Sequence, residues 1–181
     1  VGFALPKLNY RVCGEGGNEL EPGSIGTLQV KGPNVFNGYW RNPEKTKQEF
    51  SDGYFITGDL VNEGPDGRIS IVGRNKDLII TGGYNVYPKE IELVIDELDS
   101  IAESAVIGVN HPDFGEAVVA VIVPSDNDQT IDEQEIISGL KTQLASYKAP
   151  KKILVIDELP RNTMGKVQKN LLRDKYGDLF T

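Results

Sequence analysis

An α+β fold is predicted, with a β-rich first part followed by a smaller module in which a three-stranded sheet is flanked by helices. Three observations predict it. Short strand-like runs between glycine-rich turns fill the first third of the chain. From Pro88 onward, helix-period apolar stripes are interspersed with β-branched runs. The two kinds of element mix without βαβ regularity, which suggests a compact α+β module.

Taken in order, Asn9 to Val12, Ile25 to Lys31 and Asn34 to Trp40 read as strands, separated by Gly14-Glu15-Gly16-Gly17 and Gly32-Pro33. Asn42 is placed to cap a short helix with Pro43 at its first position, ending near Phe50. Ile56 to Asn62 and Arg68 to Gly73 flank the turn Gly64-Pro65-Asp66-Gly67 and form a hairpin. Counting outward from that turn sets Asn62 opposite Arg68 and Asp59 roughly opposite Ile71, so Asp59 and Arg74 emerge at the same open end.

Leu78 to Thr81 is a short strand broken by Gly82-Gly83. Pro88 opens a helix striped by Ile91, Val94, Ile95 and Leu98. Two β-branched runs, Ala105 to Val109 and Ala117 to Val123, enclose the turn His111-Pro112-Asp113. Thr130-Ile131-Asp132-Glu133 fits a capping box for a helix striped by Ile136, Ile137, Leu140 and Leu144. Ile153 to Ile156 supplies a third strand, and a last helix runs from about Val167 to Tyr176.

Composition narrows the function classes. Apolar residues form 39% and charged residues 25% of the 181, ordinary globular usage that argues against extensive disorder. Acidic residues outnumber basic ones, 27 to 19, and the net charge of −8 opposes a nucleic-acid-binding surface, which needs clustered Lys and Arg. Cys13 is the single cysteine, so no intramolecular disulfide forms, and a cytoplasmic setting is expected. No apolar run approaches 18 residues, and no membrane association is expected. The opening stretch has no signal-peptide pattern and no initiator Met, and a larger parent protein is expected.

Four segments carry chemistry. In Tyr54-Phe55-Ile56-Thr57-Gly58-Asp59 a carboxylate follows a glycine turn; it suits the paired hydroxyls of a ribose, or it simply belongs to a turn. In Gly73-Arg74-Asn75-Lys76-Asp77, Arg74 either reaches the same ribose or pairs with Asp77 at the surface. The glycines of Thr81-Gly82-Gly83-Tyr84-Asn85-Val86-Tyr87-Pro88 permit close approach by a thin ligand or a sharp bend. Leu159-Pro160-Arg161-Asn162-Thr163-Met164-Gly165-Lys166 looks like a loop presenting one lysine after a flexible glycine. His111 and Met164 belong to a turn and a loop rather than to a site.

Together, in this order and spacing, the four segments resemble the adenylate-forming superfamily of acyl-CoA synthetases, peptide-synthetase adenylation domains and luciferases, across essentially the whole chain. Within it, Lys31 to Trp40 and Asn162 to Asn170 look most like the malonyl-CoA synthetases. The resemblance implies that residues 1–73 end a large adenylating domain, that 74–77 form a hinge centred on Lys76, and that 78–181 form a mobile domain. It implies ATP or AMP, CoA and Mg²⁺ as cofactors and a small carboxylic acid such as malonate as substrate. Asp59 and Arg74 match ribose-binding residues, and Lys166 matches the lysine between the carboxylate and the α-phosphate during adenylation. Gly82, Gly83 and Tyr84 match the segment lining the pantetheine tunnel. Tyr147, Lys148 and Lys151 lie where related ligases contact the CoA nucleotide, or they form a helix end with solvated lysines.

The resemblance also places the phosphate loop, the Mg²⁺ ligands and the acyl pocket before Val1, so this stretch alone is expected not to adenylate. No metal ligand is expected within it. One rival class is enzymatic, another short- or medium-chain acyl-CoA ligase or an adenylation domain loading a carrier protein, although Asp174 to Thr181 shows no linker or carrier motif. The other is a non-catalytic regulatory module whose Lys166 is acetylated by a lysine acetyltransferase.

Overall fold

The computed structural model describes residues 2–126 and 131–181, and the chain divides into two compact units, Val1–Lys76 and Asp77–Thr181. The first contains β1 (Asn9–Cys13), β2 (Ile25–Lys31), α1 (Pro43–Glu49), β3 (Phe50–Ser51), β4 (Tyr54–Glu63) and β5 (Ile69–Arg74). All its described strand pairs are antiparallel. Ten-residue β4 is the organising strand; it pairs with β2, and also with β3 near its start and β5 near its end. Val12, Val61 and Ile69 are buried together, with Tyr10 and Leu28 packed against them. Asn42 caps α1 as expected, its Oδ1 accepting from the Lys45 N–H at 3.1 Å, with Pro43 in the first turn.

Two expectations for this unit are corrected. Residues Asn34 to Trp40 form turns and bends, not a strand. The Phe36 ring is drawn into an edge-on cluster with Tyr39, Phe50 and Phe55, and the Tyr39 N–H donates to Thr46 Oγ1 instead of to a neighbouring strand. The hairpin register also differs. The turn keeps Arg68 inside it, through Gly64 N–H donating to the Arg68 carbonyl at 2.8 Å, so Asn62 faces Ser70. A bulge then leaves Val72 without a partner and brings Asp59 directly opposite Arg74, not Ile71.

The second unit begins with a 3-10 turn (Asn75–Asp77 spans the junction) and holds β6 (Ile79–Thr81), β7 (Tyr84–Val86), α2 (Pro88–Ile95), β8 (Ile101–His111), β9 (Gly115–Pro124), α3 (Glu133–Gln143), β10 (Lys152–Val155) and α4 (Lys169–Tyr176). The three strands read from sequence are β8, β9 and β10, with β9 in the middle. The β6–β7 hairpin joins them through Thr81 opposite Gly115, making five strands rather than three. Because β9 and β10 run parallel and α3 connects them, one βαβ unit is present where no βαβ regularity was expected.

Side-chain alternation explains the layers. Val106, Val118, Ala120 and Ile122 face a cluster with Ile91 and Ile95 of α2 and Ile137 and Leu140 of α3. Their sequence neighbours Ala105, Ile107, Val119 and Val121 face the opposite cluster with Leu159 and Leu172. A sheet buried on both faces needs the near-continuous apolar runs seen here. Each fully buried Ile or Val contributes roughly 1.5–3 kcal/mol of transfer free energy.

The cap of α3 is also corrected. Asp132 is the N-cap, its Oδ1 accepting from the Gln134 and Glu135 N–H groups at 2.8 and 3.1 Å. A carboxylate one residue before the helix meets the free amides of the first turn directly. Thr130, the expected cap, lies outside the described residues.

Candidate functional site

In the first unit the site is built on adjacent strands. Gly58 lies within β4 rather than in a turn, and its left-handed conformation, φ 73°, falls where the pairing of β4 with β2 shifts register just before Asp59. Thr57 holds this irregularity: its hydroxyl donates to the Leu28 carbonyl at 2.9 Å and accepts from the Asp59 N–H at 3.1 Å. Asp59 Oδ1 then meets Arg74 Nε at 2.8 Å. The carboxylate is largely covered and the guanidinium half exposed, so the pair presents an oriented acceptor beside a donor fork. Within the second unit, Asp77 is held by Arg173 of α4. Lys76, between Arg74 and Asp77 in the chain, is exposed.

In the second unit, residues 160–168 form a small hairpin. Gln168 N–H donates to the Pro160 carbonyl at 2.7 Å, Arg161 bridges Val167, and Asn162 N–H donates to the Lys166 carbonyl at 2.9 Å. Asn162 Oδ1 accepts from both the Met164 and Lys166 N–H groups, at 3.0 and 2.9 Å. Gly165, at φ 76°, supplies the left-handed residue at the tip, and Met164 is exposed there. The Lys166 side chain is exposed and makes no ion pair among the described residues, so its ammonium is available to a ligand.

Gly82 and Gly83 are the two central residues of the β6–β7 hairpin, with φ 55° and 83°. Positive φ at both positions is the signature of a tight two-residue turn, so the turn alone requires glycine. A Cβ at Gly83 meets nothing within 4 Å. Next to this tip, the exposed rings of Tyr84 and Tyr147 stack at 4.7 Å. Lys151 Nζ lies 5.0 Å from the centre of Phe114, whose carbonyl accepts from the Gly82 N–H at 2.9 Å. An aromatic and cationic surface therefore surrounds the turn.

Lys148 differs from Lys151. Its ammonium contacts both oxygens of Glu90, at 2.6 and 2.8 Å, and is mostly covered. Burial pushes the nearby Tyr87 phenol up from its ordinary pKa, a shift that the Asn85 hydrogen bond and the Lys148 charge oppose. His111 packs between Phe114 and Phe180 beside its turn. Among the described residues no group of three or more His, Cys, Asp or Glu side chains converges on a metal site, and no role for Mg²⁺ is assigned to them.

Sequence reasoning gave no role to Phe114, Glu90 or Glu103, and quoted Arg161 in its motif without its partners. Phe114 was hidden in a turn-forming run, and the two glutamates meet their partners at a separation of 58 residues.

Comparison with known proteins fits this arrangement. Residues 90–166 match the family described as the AMP-binding enzyme C-terminal domain. The chain is 58% identical to MatB from Rhodopseudomonas palustris in its ATP-bound crystal structure, covering 100% of this chain and 36% of that one, with a TM-score of 0.94. It is 41% identical to an indoleacetate–CoA ligase of Aromatoleum aromaticum over 96% of this chain and 34% of that protein. A long-chain-fatty-acid–CoA ligase of Yersinia pestis is 39% identical over 97% of this chain and 31% of its own length. The chain thus spans about a third of the length of the curated relatives it matches. Fold, motifs and similarity agree: residues 90–166 form an AMP-binding enzyme C-terminal domain, and the chain as a whole corresponds to the carboxy-terminal part of adenylate-forming enzymes.

Proposed function

We propose that this chain is part of an ATP-dependent acid–thiol ligase that converts a carboxylate, ATP and CoA to acyl-CoA, AMP and pyrophosphate, with malonate as the acid. The observation that carries the proposal is an exposed Lys166 that makes no ion pair among the described residues and is fixed beside the tip of a hydrogen-bonded hairpin. Adenylation brings a carboxylate against an α-phosphate, and a cation between the two anions offsets their repulsion most in the transition state. At 4 Å and an effective dielectric of about 20, such a charge pair is worth roughly 4 kcal/mol before desolvation. A compact ammonium fits between two oxygens better than a planar guanidinium.

In this reading Asp59, held by Arg74, accepts the ribose hydroxyls, and the exposed Lys76 lies in a hinge that lets the second unit change pose between the two half-reactions. The turn at Gly82 and Gly83 admits the pantetheine arm, while Tyr84, Tyr147 and Lys151 offer ring faces and a cation to the CoA nucleotide. Lys148 contributes through its pairing with Glu90, which holds the segment after α3 against α2.

Malonate is favoured by the 58% identity to MatB, a malonyl-CoA synthetase, against 41% and 39% for the ligases of indoleacetate and long-chain fatty acids. The test is an assay of the intact protein with ATP, CoA and malonate, acetate or octanoate. Malonate is expected to be turned over fastest, and Lys166→Ala to lower pyrophosphate release on the order of 10²- to 10³-fold. A faster rate with octanoate would reassign the acid. Normal pyrophosphate release by Lys166→Ala would overturn the reading.

A further inference from the structure

Lys166 is positioned by more than its own hairpin. Arg161, on the opposite arm, donates from Nη1 to the Gly165 carbonyl at 2.7 Å and from Nη2 to Glu103 Oε2. Glu103 lies on β8, at a point where the register with β9 shifts between Ile101 and Glu103 and leaves Ala102 unpaired. Bulges of this kind re-aim a side chain from a strand. The rest of β8 is anchored in the sheet buried on both faces. One planar guanidinium therefore ties the tip of the lysine hairpin to a strand of the sheet that is buried on both faces.

We infer that Glu103 and Arg161 are positioning residues for the Lys166 ammonium during adenylation, a role that rests on the ligase reading above. With Asn162 Oδ1 fixing the Lys166 N–H and Arg161 fixing the preceding carbonyl, the backbone on which Lys166 sits is held on both sides. Only the four-carbon stem remains free. A part-exposed ion pair adds little to stability, whereas displacement of a reacting group by about 1 Å is expensive in rate. The clamp acts on geometry.

The test is a double-mutant cycle in the intact protein. It reads pyrophosphate release with ATP and whichever of malonate, acetate and octanoate is turned over fastest. Glu103→Gln and Arg161→Gln are each expected to lower kcat about 10-fold while the KM for ATP stays within about twofold, with Glu103→Asp recovering most of the rate. In the Lys166→Ala background, Glu103→Gln is expected to change the residual rate by less than about twofold, because the group it positions is gone. If Glu103→Gln lowers that residual rate by the full factor, or leaves the parent rate unchanged, the positioning role is wrong while the ligase reading stands. If Lys166→Ala itself releases pyrophosphate at the parent rate, the ligase reading fails and this inference with it.

Discussion

Glu133, the first residue of α3, accepts from Lys152 Nζ at 2.7 Å and from the Ile153 N–H at 3.1 Å, both on β10. Burial raises its pKa, but the lysine and the amide outweigh it and hold the carboxyl below its ordinary value of 4.5. A carboxyl with a lowered pKa in the folded state stabilises fully above its unfolded value and loses that contribution as pH falls through the folded one. Glu133→Gln is therefore expected to melt below the parent at neutral pH, and the gap should close as pH falls beneath 4.5. Melting temperatures of both proteins across pH 3 to 7 check this (roughly the span over which carboxyls titrate); a gap independent of pH would show that the ion pair is not its source. At this scale the sequence shows which residues carry charge, not which partners they find. Asp59, Arg74 and Lys166 stand out in their motifs, but the pairing of Lys148 with Glu90 and of Arg173 with Asp77 depends on distant segments that folding brings together.

Among the elements, the β6–β7 hairpin shows what a two-residue pattern conceals. Gly82-Gly83 reads as a break, and three-residue β7, with Tyr84 and Asn85 exposed, is too short for alternation to reveal. The register of β4 against β5 was equally hidden, since a single bulged residue changes every pairing beyond it. Long apolar runs were legible: β8 and β9 extend the predicted cores by a few residues at each end. The hairpin also carries a functional prediction. In Gly83→Leu the new side chain projects into open space, so the cost inside the unit is that of the left-handed backbone, roughly 1–2 kcal/mol. Under the ligase reading, that side chain obstructs the pantetheine arm. Pyrophosphate release is expected to persist while acyl-CoA formation falls steeply, as measured by the two half-reactions separately. Equal loss of both would mean that the substitution acts through folding alone.

At the scale of the whole chain, the two units differ in how much each can bury by itself. Among its described residues, Asp77–Thr181 has clusters on both faces of its sheet, twelve buried residues on one and seven on the other. One amide of β8 outside the strand pairing is also satisfied: Glu92 of α2 accepts from the Val106 N–H at 2.9 Å and is neutralised by Lys169 of α4, so this buried carboxylate is paired. Among the described residues, Val1–Lys76 buries a smaller set, Val12, Cys13, Leu60, Val61 and Ile69, and leaves Trp40, Phe3 and Leu5 exposed. A core that small does little against a conformational entropy cost of about 1–2 kcal/mol per residue. Residues 77–181 produced alone are therefore expected to unfold in one cooperative transition in urea, with dispersed amide resonances beforehand. Residues 1–76 produced alone are expected to show a shallow, non-cooperative change. A cooperative transition for the shorter piece and none for the longer would mean that burial in the sheet of the second unit does not supply its stability, and the rigid platform assigned to Glu103 and Lys166 would lose its physical basis.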